Sequence, residues 1–236
     1  MQRRDKLVTA LAALPGGTAL DRVCRLGVEL LGVDGSAVIL MSDEEAGSVA
    51  AAYGPAVRVV EDLQFSLGEG PCLTAFRSGC AVLEPDIGPA AATWPVFAPA
   101  AAAAGVRAVF ALPLQIGAIR LGVLYLVRSG SGPLRDEALA DAHGLAQIAT
   151  MTLLDQRQDG EPVLDGYAAA VSWAHRAVVH QATGMVAAQL DVKLADALAR
   201  LRANAFAAER SLYDVAVDVV ERRLRLAQND NDGGAP

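Results

Sequence analysis

Apolar positions along this chain change rhythm several times, and the changes mark out its elements. Over residues 2–13 they fall at helical spacing. Thr18 with Asp21 three residues on then predicts the start of a second helix running to Leu31, because the two side chains can satisfy free N–H groups of the first turn reciprocally. The rhythm next shifts to short apolar or alternating runs bounded by Gly, Pro and Asp, at 36–41, 48–53, 106–115 and 119–127, which predict strands. Between the second and third of these, helices are predicted at 71–78, opened by Pro71 and closed by Gly79, and at about 93–104. A last helix of this half follows Gly132 and Pro133.

That last helix, over about 134–157, carries Leu139, Ala142, Ala146, Ala149 and Leu153 at alternating spacings of three and four, with Ala138, Leu145 and Ile148 beside them. Two readings stay open: a single broad core stripe, or one stripe on the sheet and a second against a partner subunit, giving a homodimer. Polar residues with Gly160 and Pro162 then break the periodicity and predict a linker. Beyond it three helical stripes follow. The first is Tyr167, Val171, Ala174, Val178, Ala182 and Met185; the second Leu194, Leu198, Leu201 and Ala205; the third Leu212, Val215, Ala216, Val219 and Val220, started by Ser211 with Asp214. The small residues Ala182, Gly184 and Ala205 mark places where helices can approach closely, since a helical glycine costs about 1 kcal/mol against alanine. The tail from Gln228 is polar and glycine-rich, a composition that predicts disorder. Helices and strands in this order give an α+β protein: an antiparallel sheet flanked by helices, then an all-α three-helix domain.

Composition narrows the function. The 236 residues are 53% hydrophobic and 20% charged, enough for two cored domains, and the alanine-rich run around 98–114 is broken by Arg107 and Pro113, which argues against a membrane span there. The N-terminus lacks a signal-peptide cleavage pattern, and three cysteines, Cys24, Cys72 and Cys80, fit a reducing compartment; a cytoplasmic protein is expected. A net charge of −7 argues against indiscriminate polyanion binding. The charge is uneven, with 12 basic and 17 acidic side chains in residues 1–159 but eight of each in 160–228. No cysteine and histidine spacing fits a metal, and no catalytic group or cofactor is implied.

Two resemblances then cover most of the chain. The words Leu67-Gly68-Glu69-Gly70-Pro71-Cys72, Trp94-Pro95-Val96-Phe97, Ala104-Gly105-Val106-Arg107, Ala111-Leu112-Pro113-Leu114 and Leu121-Gly122-Val123-Leu124 resemble a GAF domain. The run Gln181-Ala182-Thr183-Gly184-Met185, with Ala195, Leu198, Leu201, Arg202 and Ala205 and then Leu212, Asp214, Val215, Ala216, Val219 and Val220, resembles an ANTAR domain. The layout expected is a GAF sensor over 5–157, a linker over 158–165, an ANTAR domain over 166–227 and a disordered tail over 228–236. The resemblance implies an actinobacterial-type, signal-responsive transcription antitermination regulator. Its GAF domain would sense a ligand or partner, and its ANTAR domain would bind RNA stem-loops in leader transcripts, stabilising a structure that competes with a terminator. It implies no reaction.

Within the helical domain the arginines are the candidates for RNA contact, because a guanidinium pairs with phosphate or a base edge and stacks on unpaired bases. They are Arg176, Arg202, Arg210 and Arg222, with Arg223 and Arg225 beside the last, and Tyr213 joins them as an aromatic. Cations at a helix C-terminus also serve the helix itself, which is the competing account of Arg222 to Arg225. Phe206 and Tyr213 could stack a base, though an aromatic near a helix end is more often core. ANTAR domains often have a lysine where this chain has Thr183, which removes one positive charge. In the other half, Leu67 to Cys72 reads as a turn into a helix and not a phosphate loop, since no Lys-Ser/Thr follows. Cys72 stands near a helix N-terminus, where a thiolate is favoured, although buried packing is the commoner role. Two other functions stay open: a dimerisation or docking module without RNA affinity, and a GAF-fold methionine sulfoxide reductase using the cysteines.

Overall fold

The computed structural model describes residues 2–41, 47–159 and 167–226, which form two compact units divided between Val171 and Ser172. In the first unit five strands make one antiparallel sheet in the order β2-β1-β5-β4-β3: β1 (Gly35–Leu40), β2 (Ser48–Tyr53), β3 (Val82–Glu84), β4 (Ala108–Ile116) and β5 (Ile119–Arg128). Side chains alternate across the central strands and feed two separate cores. Val38, Phe110, Leu112, Leu124 and Leu126 go to one face, while Ile39, Val109, Ala111, Val123 and Tyr125 go to the other. Helices α1 (Gln2–Ala13), α2 (Ala19–Leu31) and α6 (Asp136–Asp159) cover the first face; α3 (Pro55–Leu67), α4 (Pro71–Ser78) and α5 (Phe97–Ala103) cover the second.

The capping box expected at Thr18 is present: its hydroxyl accepts the Asp21 N–H, and the Asp21 carboxylate accepts the Thr18 N–H at 2.9 Å. The strands and the helix at 71–78 stand where the pattern places them, but three corrections follow. Helix α3 went unpredicted, although Gly54-Pro55 opens it and Gly68 closes it with the same punctuation that identified α4. The third strand, only three residues long, offers too little pattern to read. The helix expected at 93–104 is shortened to α5, and a separate 3-10 turn at Pro89–Ala92 precedes it.

Both stripes of α6 enter one core cluster, with Ala138, Ala142, Leu145, Ala146, Ala149 and Leu153 all buried. Both stripes are thus occupied within the chain, where the helix packs against the sheet, α2 and α1. Gly144 lets Leu7 of α1 come so close that a Cβ there would lie 2.6 Å from its methyl carbon.

The boundary falls within α7 (Tyr167–Leu190), and the second unit takes that helix from Ser172 on, with α8 (Leu194–Ala207) and α9 (Leu212–Val220). The buried line of α7 is Val179, Ala182, Val186 and Leu190, one position round from the expected stripe, with Val178 and Met185 only half-buried; the side chains of Tyr167, Val171 and Ala174 lie outside the described ones. On α8 the inward line is Ala197, Leu201 and Ala205, which leaves Leu194 60% exposed. Helix α9 buries Leu212, Val215, Ala216 and Val219, and the Ser211 hydroxyl accepts the Asp214 N–H at 3.0 Å at its start, as expected. Ala182 and Ala205 are buried at helix contacts, but nothing lies within 4 Å of a Cβ built on Gly184, so that glycine is not a point of close approach. Most of the expected linker and the whole tail lie outside the described residues; positions 158 and 159 continue α6.

Candidate nucleic-acid interface and ligand cleft

The helical unit presents its cations unevenly. Arg176, on α7, is buried at 3% exposure, so its guanidinium is not offered to a polyanion. Arg202 is half-buried on α8, whereas Arg210 and Arg222 are exposed, and Tyr213 is 37% exposed at the start of α9. Arg210 donates to Asp218 Oδ2 at 2.7 Å and Arg223 donates to Asp218 Oδ1 at 2.7 Å, so one carboxylate orients two arginines. The hydrogen bonds from both hold the Asp218 carboxyl below the ordinary carboxylate range. Arg223 also pairs with Glu221.

Backbone geometry fixes the arginine cluster. Arg222 takes φ of 61°, a left-handed conformation that an L-residue occupies at a cost, and α9 ends there. The Arg223 and Leu224 N–H groups turn back to the Asp218 carbonyl at 2.7 and 3.0 Å. Buried Leu226 then returns to α7, where its carbonyl accepts the Gln189 side-chain N–H at 2.6 Å. Thr183 is buried, and its hydroxyl donates to the Val179 carbonyl at 2.7 Å; that position lies inside the unit and not on a phosphate-binding surface. Phe206 reverses the expectation in the other direction, at 67% exposed.

In the sheet unit the sequence words meet in space. Gly68 ends α3 at φ of 72°, and Gly70 has φ of 139° with the Gln64 side chain 2.6 Å from where a Cβ would stand, so neither position takes a larger residue without strain. Between them, Glu69 Oε1 accepts the N–H groups of Val96 and Phe97, both at 2.7 Å, and so caps α5. The Trp94 indole N–H donates to the Thr74 hydroxyl at 3.1 Å, and its ring meets Phe97 edge-on. The turn reading of this word holds, and its acidic residue does structural work that the spacing alone did not reveal.

Under that turn lies a small cleft of about 20 Å³, lined by Ile39, Met41, Glu61, Gln64, Cys72 and Leu73 among others, with space for a water-sized group. Gln64 grips Cys72 twice: its Oε1 accepts the Cys72 N–H at 2.8 Å, and its Nε2 donates to Sγ at 3.3 Å. Burial pushes the Cys72 thiol well above its ordinary range, which outweighs any help from the helix N-terminus; the packing role wins over a reactive one. Tyr125 is fully buried and its hydroxyl has no hydrogen-bond partner among the described residues. Cys72 and Glu61, which line the cleft, are its electrostatic neighbours. Cys24 lies in the other core with its thiol pushed up by burial to about 12, and Cys80 is exposed, so the sheet separates Cys24 from Cys72. Among the described residues no three metal-ligating side chains gather, and no helix is long and apolar enough to cross a membrane.

Comparison with known proteins agrees with this architecture. The GAF domain family matches residues 17–154, and the ANTAR domain family matches residues 170–220. The GAF domain of a phosphoenolpyruvate-protein phosphotransferase from Coxiella burnetii is similar in fold, with a TM-score of 0.53 at 18% identity over 67% of this chain and 95% of that one. The corresponding domain from Acinetobacter superposes with a TM-score of 0.50 at 13% identity, over 66% of this chain and 93% of that one. A free methionine-R-sulfoxide reductase from Neisseria meningitidis, at a TM-score of 0.46 and 19% identity over 67% of this chain and 87% of that one, is too distant to carry an argument about chemistry. No curated protein sequence matches the chain significantly. With more than half its length matched, the chain belongs to the GAF family and joins its GAF domain to an ANTAR domain, a sensory module followed by an RNA-binding output module, both of them regulatory and not catalytic.

Proposed function

We propose that this protein is a signal-responsive antitermination regulator whose ANTAR domain binds stem-loops in leader transcripts and whose GAF domain adjusts that binding. The observation that carries the reading is the helical unit, which follows a sensory domain and carries half-buried Arg202 and exposed Arg210, Arg222 and Tyr213. Arg176 is left out of the RNA-contacting set because it is buried. The signal is a small ligand or a protein partner. The cleft between Gln64, Glu61 and Cys72 limits a ligand in the present packing to about the size of one water, so a larger one must open α3 from α4.

A second reading, a docking module without RNA affinity, draws support from Thr183, whose side chain is buried and bonded to its own helix. A homodimer through α6 would rest on side chains that its core leaves partly or wholly outside, Met151 among them. Readthrough of a leader terminator in a purified transcription reaction separates the two accounts. The regulator should raise full-length transcript, and Arg202→Ala with Arg210→Ala should abolish the gain. Readthrough unchanged by the parent protein, with no RNA retained on it, supports the docking account.

A further inference from the structure

The outer face of α8 repeats every fourth residue as Leu194, Leu198, Arg202 and Phe206, so these side chains lie along one line of the helix. Phe206 is 67% exposed, so most of its surface is in solvent, and Arg202 lies one turn behind it. Ala195, Ala199, Ala203 and Ala207 run alongside, all exposed, so the neighbouring line of the helix adds little bulk. Backbone bonds tie down the end of this line. The Phe206 carbonyl accepts the Glu209 N–H at 3.2 Å, and the Ala205 carbonyl accepts the Arg210 N–H at 2.9 Å, closing the turn into α9, where Tyr213 is also exposed.

Charge selects the occupant. Residues 193–226 carry seven basic and five acidic side chains in a protein whose net charge is −7, so this segment is positive within an acidic chain. An apolar helix from another protein would have to desolvate Arg202 in the middle of the line, whereas a nucleotide supplies both a flat apolar face for the ring and an anion for the guanidinium.

We infer that Phe206 is a stacking platform for an unpaired base of the bound RNA, with Arg202 engaging the adjoining phosphate or base face and Tyr213 bordering the site. The inference rests on the RNA-binding reading above and specifies what part of the RNA is read: a loop base and not the paired stem.

The test uses the full-length protein and a pool of hairpin RNAs with one fixed stem and a randomised loop. A hairpin enriched by the parent protein is remade with 2-aminopurine in its loop, and the same stem is made as a blunt duplex. Phe206→Ala should weaken hairpin binding by roughly 5- to 150-fold. Phe206→Leu should weaken it nearly as much, because it keeps apolar bulk but not the aromatic face, while Phe206→Trp should retain it. None of the three should change duplex affinity or the salt dependence of binding, and the parent but not Phe206→Leu should shift the loop fluorescence. Phe206→Leu binding the hairpin as tightly as the parent overturns the inference and leaves the RNA-binding reading standing. So does a Phe206→Ala protein that changes its oligomeric mass and not its RNA affinity, which makes this face a protein contact. If the parent enriches no RNA, the underlying reading fails and the inference fails with it. The exposed position of residue 206 keeps these variants folded, and their melting temperatures check it.

Discussion

Removing the Glu69 carboxylate should loosen the wall of the GAF cleft by an amount that can be worked from its bonds. Its Oε1 accepts two backbone N–H groups at 2.7 Å, from half-exposed Val96 and from Phe97, whose side chain is wholly buried. Loss of a helix cap costs about 0.5–2 kcal/mol, and leaving a poorly hydrated N–H without an acceptor about 1–3 kcal/mol. The two overlap, since water can reach the Val96 side, and a net loss of about 2 kcal/mol is expected for Glu69→Ala. For a unit of this size that corresponds to a fall in melting temperature of about 4–8 °C. Glu69→Gln keeps a neutral acceptor in the same place and should lose about half as much. Differential scanning calorimetry of the full chain should place both losses in the GAF transition and leave the helical unit's melting unchanged. A melting temperature within about 1 °C of the parent for Glu69→Ala would show that the carboxylate does not hold α5, and the reasoning would be wrong.

Four further outcomes are expected. The Asp34 carboxylate accepts the Ser129 N–H at 2.6 Å and its hydroxyl at 2.7 Å, which lowers its pKa; such a group stabilises the fold above the ordinary carboxylate range and loses that contribution as pH falls through its folded value. The stability gap between parent and Asp34→Asn, measured by urea unfolding, should therefore be full near neutrality and close below about pH 4. Arg222→Gly relieves a left-handed residue and should raise stability by about 1 kcal/mol in the same assay while weakening RNA binding; stronger or equal binding removes Arg222 from the interface. Replacing Arg202 and Arg210 together by alanine should reduce the slope of log affinity against log salt by about 0.7 for each lost single-strand phosphate contact, and an unchanged slope makes them plain surface. Brief alkylation of the native chain should modify Cys80 and spare Cys24 and Cys72, as mass spectrometry of peptides would report; labelling of Cys72 at the Cys80 rate would contradict its burial.

Sequence reading reached furthest where a local signal decides the outcome. Thr18 with Asp21, Ser211 with Asp214, and Pro71 with Gly79 each mark a helix end through bonds made within a few residues, and each is found in place. It fell short where the answer depends on a distant partner. Helix α7 is apolar nearly all round, so only the helices packed on it determine that Val179, Ala182 and Val186 face inward, and with them Arg176 and Thr183. On α8, Leu194 continues a convincing stripe yet is 60% exposed at the helix start, and at the other end Phe206, one position round from buried Ala205, is left outside. The Glu69 cap was beyond reach because the two groups it joins are separated by 27 residues.

The buried hydroxyl of Tyr125 has a thermodynamic consequence. A buried phenol without a partner among the described residues lowers the stability of the fold, and Tyr125→Phe would restore some of that loss. A small polar guest that bonded this oxygen beside Cys72 and Glu61 would recover the same free energy through binding, so its affinity and the GAF domain's resistance to unfolding would rise together. Sensor occupancy would then be measurable as heat tolerance, in a screen that needs no knowledge of the RNA.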